Sequence, residues 1–364
     1  MAKYIYEFKN WTDFTWDERA FNALFGEVRS MQGKIIGQMN ALGFTAKEEA
    51  TLTALTLDVV KSSEIEGELL NYEQVRSSIA RRLGINAAGL VPSSRHIEGV
   101  VEMMLDATQR NQLPLTEKRL FGWHAALFPT GYSGPYEIEV GRYRTGEMQV
   151  VSGAMGKEKV HYEAVNPEAL KTEMDRFLDW YNGENKLDLV LKAAIAHFWF
   201  IIIHPFDDGN GRIGRAITDL LLARAEGSGE RFYSMSSQIL VERKEYYEVL
   251  QKVQHSAGDI TEWLKWFLQC LKNAMLSTED MTQRVLRKAE FWKLHEHTSI
   301  NERQRIMLNK LFDGFEGKLQ TSKWAKITKT SPDTALRDIK DLVEKDILRQ
   351  TDEGGRSANY QLVS

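Results

Sequence analysis

The chain has 364 residues, 43% of them hydrophobic and 27% charged, which is enough apolar material for packed cores and excludes wholesale disorder. Its length predicts two or three domains, and a formal net charge of −4 excludes a chain-wide basic surface for nucleic acid. The lone Cys270 excludes an intramolecular disulfide framework, and no apolar run approaches the roughly 20 residues that span a bilayer; without a signal segment either, the expectation is a cytoplasmic protein with no membrane contact.

With 7 Pro against 26 Gly and abundant Leu, Ala, Glu and Lys, the composition leans toward helix. Residues 16–42 carry Phe21, Leu24, Phe25, Val28, Met31, Ile35 and Met39 near helical spacing. Thr45 with Glu48 reads as a capping box opening a helix over about 46–70. Residues 81–94, with Gly, Asn and Pro, read as a loop closing a first domain. Alternating and β-branched residues over 141–165, around Ser152-Gly-Ala-Met-Gly156, suggest a β-hairpin. Asn166-Pro167 opens the next helix. Residues 188–203 are almost continuously apolar; their length and alanines favour a buried helix over a strand. Residues 281–300 read as a charged connecting helix. Beyond them, Leu308, Leu311, Phe312 and Phe315 mark one helix, 321–328 a second, and Ser331-Pro332-Asp333 the start of a third. Residues 347–350 and 359–363 then read as a hairpin.

The chemistry is concentrated in His204-Pro-Phe-Asp-Asp-Gly-Asn-Gly-Arg-Ile-Gly-Arg215. An apolar segment ends at His204, a glycine-containing turn follows, and Ile213, Ala216, Ile217, Leu220 and Leu221 signal a helix. Unpaired N–H groups and the positive dipole end at a helix N-terminus favour an anion such as phosphate. Arg212 and Arg215 are neighbours on the first turn, and guanidinium forks suit phosphate oxygens. Asp208 suits Mg²⁺, which takes one or two carboxylates plus substrate phosphates, and His204 suits a general base. Together these residues point to phosphoryl or nucleotidyl transfer; read alone, the same segment is equally a structural histidine followed by an ordinary turn. The chain has no Gly-Lys-Ser/Thr phosphate loop, and an EF-hand reading from Asp208 fails because no Glu closes the loop.

This segment resembles the signature His-Pro-Phe-x-Asp/Glu-Gly-Asn-Gly-Arg-x-x-Arg of the Fic (filamentation induced by cAMP) family and matches it throughout. Trp123-His124, Gly141-Arg-Tyr-Arg144, the 145–163 hairpin, Tyr246-Tyr247 and 263–268 are similar to further family landmarks. The resemblance implies a mostly α fold: a Fic-type helical core at 91–280 with a β-hairpin flap, an N-terminal helical domain at 1–90, a connecting helix at 281–300, and a winged helix-turn-helix at 301–364. It implies a protein adenylyltransferase that moves AMP from ATP, with Mg²⁺, to a Ser, Thr or Tyr hydroxyl of a target protein. His204 would be the base and Asp208 the metal ligand. Phe206, Asp207, Gly209, Asn210, Gly211, Arg212 and Arg215 would contact the nucleotide, with Tyr247 and Gln254 in the adenine pocket. The flap would align the target as an added strand.

Ser62-x-x-x-Glu66-Gly67 is similar to the family's inhibitory motif, with Ser62 and Glu66 on one helix face. The resemblance implies that Glu66 pairs with Arg215 and denies it to the γ-phosphate. The segment 301–364 holds 12 Lys and Arg against 10 Asp and Glu, and Arg337, Lys340, Arg349 and Arg356 would face DNA phosphates; docking of a protein is the competing reading. Removal of AMP at the same site and a nucleotide-sensing DNA-binding regulator stand as alternative functions. Self-modification and a homodimer that controls the inhibitory helix are further expectations of the resemblance.

Overall fold

The computed structural model describes residues 3–40, 44–85, 89–152, 159–184, 186–312, 315, 317–351 and 358–363. Two compact units emerge, Met1–Ile85 with Leu90–Thr278, and Asn86–Gly89 with Glu279–Ser364. Both are built of helices with small antiparallel hairpins.

The first unit begins with α1 (Asn22–Asn40), α2 (Phe44–Ile65) and α3 (Tyr72–Leu83). Helix α2 opens at Phe44, one residue ahead of Thr45, so Thr45 lies in the first turn and is not the cap. It ends at Ile65, short of the expected residue 70. Gly67 takes a φ of +85°, and bonds from Glu66 N to Ser63 O and Gly67 N to Glu64 O tighten the last turn. Helix α3, which the apolar pattern does not announce, enters the expected 81–94 loop as far as Leu83. There Gly84 closes it in the left-handed conformation.

Next come α4 (Arg95–Gln109), capped by Ser94, and α5 (Glu117–Leu127), capped by Thr116. Two hairpins follow: β1 (Tyr132–Ser133) with β2 (Tyr136–Glu137), and β3 (Gln149–Ser152) with β4 (Lys159–Glu163). The second is the expected 145–163 hairpin; its turn lies outside the described residues. Helix α6 (Pro167–Asn182) starts as anticipated, the Asn166 side chain accepting from Glu168 N. Helix α7 (Leu189–Ile203) accounts for the apolar run: twelve of its residues are buried, so both of its faces need apolar side chains. It packs on α8 (Asn210–Glu226), and these two helices form the centre of the unit. Helices α9 (Met235–Val241), α10 (Arg243–Val253) and α11 (Thr261–Leu294) complete the chain's passage through it. Of the expected helix at 281–300, residues 281–294 form the last part of α11, which ends at Leu294.

In the second unit, α12 (Glu302–Phe312), α13 (Thr321–Thr328) and α14 (Pro332–Glu344) precede the hairpin of β5 (Leu348–Thr351) and β6 (Asn359–Leu362). Met307, Leu308, Trp324, Ile339, Leu342 and Ile347 form its core. Ser331 caps α14, its hydroxyl accepting from Thr334 N. Arg303 grips the nearly buried Asp338 through two bonds of 2.8 Å. Arg337, Lys340 and Arg349 are exposed, and Arg356 lies outside the described residues.

Candidate active site

The connection between α7 and α8 builds the site. His204 caps α7 with φ 51° and ψ 60°, a left-handed backbone that costs free energy for a non-glycine residue. Side chains from other elements hold it there. Arg144 Nε donates to the His204 carbonyl at 2.9 Å, Arg144 N donates to Pro205 O at 3.0 Å, and the Arg144 guanidinium also reaches Val165 O. Tyr162 on β4 donates its hydroxyl to Ile202 O, which ties the hairpin to the end of α7.

Within the loop, Asn210 Nδ2 donates to Phe206 O at 2.7 Å while its Oδ1 accepts from Phe206 N at 3.0 Å. This reciprocal pair closes the turn at the start of α8. Phe206 is fully buried and stacked on His124, ring centroids 4.3 Å apart. Gly141 N donates to His124 Nδ1 at 3.1 Å, which leaves the proton on Nε2 to donate to Asp208 O at 3.2 Å. Burial lowers the His124 pKa to about 4, so the neutral ring holds the loop. His204 is likewise pushed down to about 4 by burial, against the raising effects of Ile201 O, Glu66 and Asp208. Its Nδ1 stands 3.2 Å from Ile201 O. A carbonyl only accepts, so the proton is on Nδ1 and Nε2 keeps its lone pair.

The C-terminal end of α2 meets the N-terminal end of α8. Arg215 donates through Nε to Ser62 Oγ, and through Nη2 to Ser62 O and to Glu66 Oε1, each at 2.8 Å. Its side chain is only 2% exposed. A cation is favourable against the last carbonyls of α2, as is the Glu66 carboxylate against the first turn of α8. Gly211 makes that approach geometrically open: a Cβ there would lie 2.1 Å from Glu66 Oε1. Ser62 and Glu66 therefore converge on Arg215, although Glu66 sits in the turn after α2 and not on the helix face expected from their spacing.

Residues 114–222 match the model of the Fic/DOC family, and residues 4–85 match a domain of unknown function, DUF4172. Residues 114–222 thus form a Fic/DOC domain within the chain. Two curated relatives named Protein adenylyltransferase Fic, from Drosophila willistoni and Drosophila grimshawi, are 27% and 28% identical over 279 residues. Those matches cover 74% of this chain and 50% and 52% of the fly proteins, so the chain spans about half the length of the curated relatives it matches. A crystal structure of a Fic family protein from Desulfovibrio desulfuricans G20 shares the fold, with a TM-score of 0.53 at 22% identity, over 94% of this chain and 96% of that one. Fic-1 from C. elegans gives a TM-score of 0.50 at 23% identity over 74% of each chain.

A cavity of about 610 Å³ opens on the Fic motif. His204, Asp207, Asp208, Asn210 and Gly211 line it on one side, Glu66 and Val150 on others, and α10 supplies Arg243, Tyr247, Leu250 and Gln251, with Gln254 just beyond its end. Tyr247 and Gln254 thus meet the motif across one space. Arg243 lies over the Tyr247 ring at 5.7 Å. Asp207 Oδ2 accepts from Glu139 N at 2.8 Å, and Asp208 accepts from the Ser133 hydroxyl and from Gly209 N.

One motif side chain stands elsewhere than the family resemblance implies: Phe206 points into the core, with no surface for a nucleotide. Asn210 borders the cavity while its amide is engaged by the backbone of Phe206, which shapes the loop. Ser133 and Glu68 were not singled out by the sequence, and Tyr246 entered only as a family landmark, without its partner His197. His197 Nδ1 meets Thr218 Oγ1 and its Nε2 meets the Tyr246 hydroxyl, both at 2.9 Å, which binds α7, α8 and α10 into one frame. A histidine inside an apolar helix was the available hint.

Proposed function

We propose that this chain is a protein adenylyltransferase whose site is closed by its own Glu66. The observation that carries the reading is the loop itself: a neutral His204 with an unprotonated Nε2 stands on the same cavity as a helix N-terminus, Asp208 and Glu66, whose carboxylate holds Arg215. With ATP in that cavity, His204 Nε2 takes the proton of a target Ser, Thr or Tyr hydroxyl. The hydroxyl oxygen attacks the α-phosphorus, a P–O bond forms, the bond to the β-phosphate bridge breaks, and pyrophosphate leaves. The Gly209–Arg212 turn and Arg215 hold the phosphates, and Tyr247 with Gln254 borders the base.

Mg²⁺ fits this arrangement as a companion of ATP. Among the described residues no group of three or more His, Cys, Asp or Glu forms a metal cage, whereas the Asp208 carboxylate, 42% exposed, lines the cavity and can supply one oxygen. When bound, the ion neutralises charge on the phosphates. The β3–β4 hairpin, which ends against the cavity at Val150, supports recognition of the target as an added strand.

Glu66 holds Arg215 away from the γ-phosphate in this reading, so the resting protein binds ATP unproductively. Transfer of label from α-labelled ATP with Mg²⁺ tests it, comparing the wild-type chain with Glu66→Gly and with Glu66→Gly/His204→Ala. Labelling of the chain itself or of lysate proteins only in the Glu66→Gly variant supports the assignment. No labelling in any variant rejects it in favour of AMP removal or nucleotide sensing.

The domain division at 90, 280 and 300 remains our reading of the chain, with a winged helix-turn-helix at 301–364. Three helices followed by a hairpin, with Arg337, Lys340 and Arg349 exposed, support DNA as its partner. A salt-dependent gel shift with the full chain tests this; absence of binding to duplex DNA at low salt assigns the segment to protein contacts.

A further inference from the structure

The turn after α2 carries a second acid. Glu66 and Glu68 flank Gly67, and the left-handed Gly67 backbone lets both reach the first turn of α8. Glu66 Oε1 lies 2.8 Å from Arg215 Nη2, and Glu68 Oε2 lies 2.9 Å from Arg212 Nη1. The two arginines of the motif are thus each engaged by one carboxylate of a three-residue segment. Arg212 is 5% exposed, its guanidinium stands 5.0 Å from the Phe128 ring centre, and Asp208 Oδ2 is 3.9 Å from its Nη2. Among the described residues Glu68 is the acid within hydrogen-bonding distance of it, and Arg212 Nε, also buried, has no partner. From α4, His96 Nε2 faces the other oxygen of Glu68 and fixes the carboxylate from behind.

We propose that Glu68 is a second inhibitory carboxylate, occupying the fork of Arg212 as Glu66 occupies that of Arg215, so that the Glu66-Gly67-Glu68 turn closes both phosphate-binding cations together. The proposal rests on the nucleotide reading above for the identity of the ligand. A buried guanidinium offers a fixed set of donors. A carboxylate already on that set must leave before a phosphate oxygen takes its place, and removing Glu66 alone leaves Glu68 on Arg212. An anion-bearing ligand feels this competition; the nucleoside without phosphate does not.

Calorimetric titration of the full chain with ATP plus Mg²⁺, and separately with adenosine, separates the two acids. Wild type, Glu66→Gly, Glu68→Gln and Glu66→Gly/Glu68→Gln are compared, with label transfer followed in parallel and Glu68→Ala in reserve should the glutamine variant not fold. Adding Glu68→Gln to Glu66→Gly is expected to tighten ATP about tenfold, the scale of one charge-assisted contact, with adenosine affinity unchanged. Unchanged ATP affinity in a cooperatively folded double variant overturns the proposal. An equal gain for adenosine also overturns it, because that marks a loosened site and not a freed arginine. If ATP tightens selectively while no variant transfers label, the second carboxylate stands and the transferase reading falls. If Glu66→Gly transfers label and Glu68→Gln adds nothing to ATP affinity, the transferase stands and the second carboxylate falls.

Discussion

Glu66 and Arg215 lie 149 residues apart in the chain and meet at 2.8 Å, with Ser62 completing the guanidinium's partners. The pair joins the end of one helix to the start of another, so each charge also answers the helix terminus it faces. Because the arginine is buried and the carboxylate is 31% exposed, the acid is the member that can swing out to solvent.

Replacing Glu66 by Gly frees Arg215 for a phosphate. One or two charge-assisted hydrogen bonds are worth about 1.5–3 kcal/mol, so label transfer should rise by roughly 10- to 100-fold. Initial rates with α-labelled ATP measure this directly.

His204→Ala, introduced into the Glu66→Gly chain, removes the base and should lower transfer by about 10²- to 10⁴-fold. ATP affinity should stay within a few fold, since the proposed phosphate contacts lie at the start of α8. A parallel collapse of affinity would mean that the residue shapes the loop and moves no proton.

Gly211→Ala places a methyl group 2.1 Å from Glu66 Oε1, closer than real atoms approach. The flexible carboxylate is displaced before the backbone of α8 moves. The effect of Glu66→Gly on thermal stability should therefore shrink toward zero in the Gly211→Ala background, which a double-mutant cycle reads. Full additivity of the two substitutions would contradict the contact.

Arg231 is fully buried with Asp219 at 2.8 Å and Glu226 at 3.9 Å. Arg231→Met leaves these acids without their cation and should cost about 3–5 kcal/mol, seen as a lower urea midpoint. Because Asp219 belongs to α8, local loosening of the motif should accompany the loss.

Burial lowers His124 and His204 to about 4 and His197 to about 3. In the unfolded chain each titrates near 6.5. Between these values the unfolded state binds more protons, so stability falls as pH drops from about 6.5 toward 4, by at most roughly 1.4 kcal/mol per pH unit for each group. Above 6.5 these residues contribute no slope. Transfer by the Glu66→Gly chain should stay level from pH 8 to about 5, where an ordinary histidine base would already have lost its activity. Rates and denaturation midpoints across that range check both statements.

The residues of the motif were legible because their chemistry is local. A base, a turn rich in glycine, a helix start and two arginines three apart sit in one short stretch, and α8 needs only nearest-neighbour geometry to present them. Helix α7 was legible for a related reason: a run buried on all faces is apolar at nearly every position, Lys192 and His197 excepted, and its length separates it from a strand. The same reasoning failed at 66–70, where the apolar stripe continues but the left-handed Gly67 backbone ends α2. The family resemblance placed Phe206 on the ligand, whereas its ring is buried in the core, since residue type does not reveal which way a side chain turns in a tight loop.

By itself the sequence determined the helical class, the loop between α7 and α8, and the chemical types gathered on it. Only the tertiary structure decided which distant groups complete the site. Packing of α2 against α8 carries Glu66 to Arg215 and Glu68 to Arg212, and α10 supplies the far wall of the cavity. Those contacts depend on where a helix ends and which neighbour it packs against. That choice is made by burial of the whole core, and no short stretch of residues encodes it.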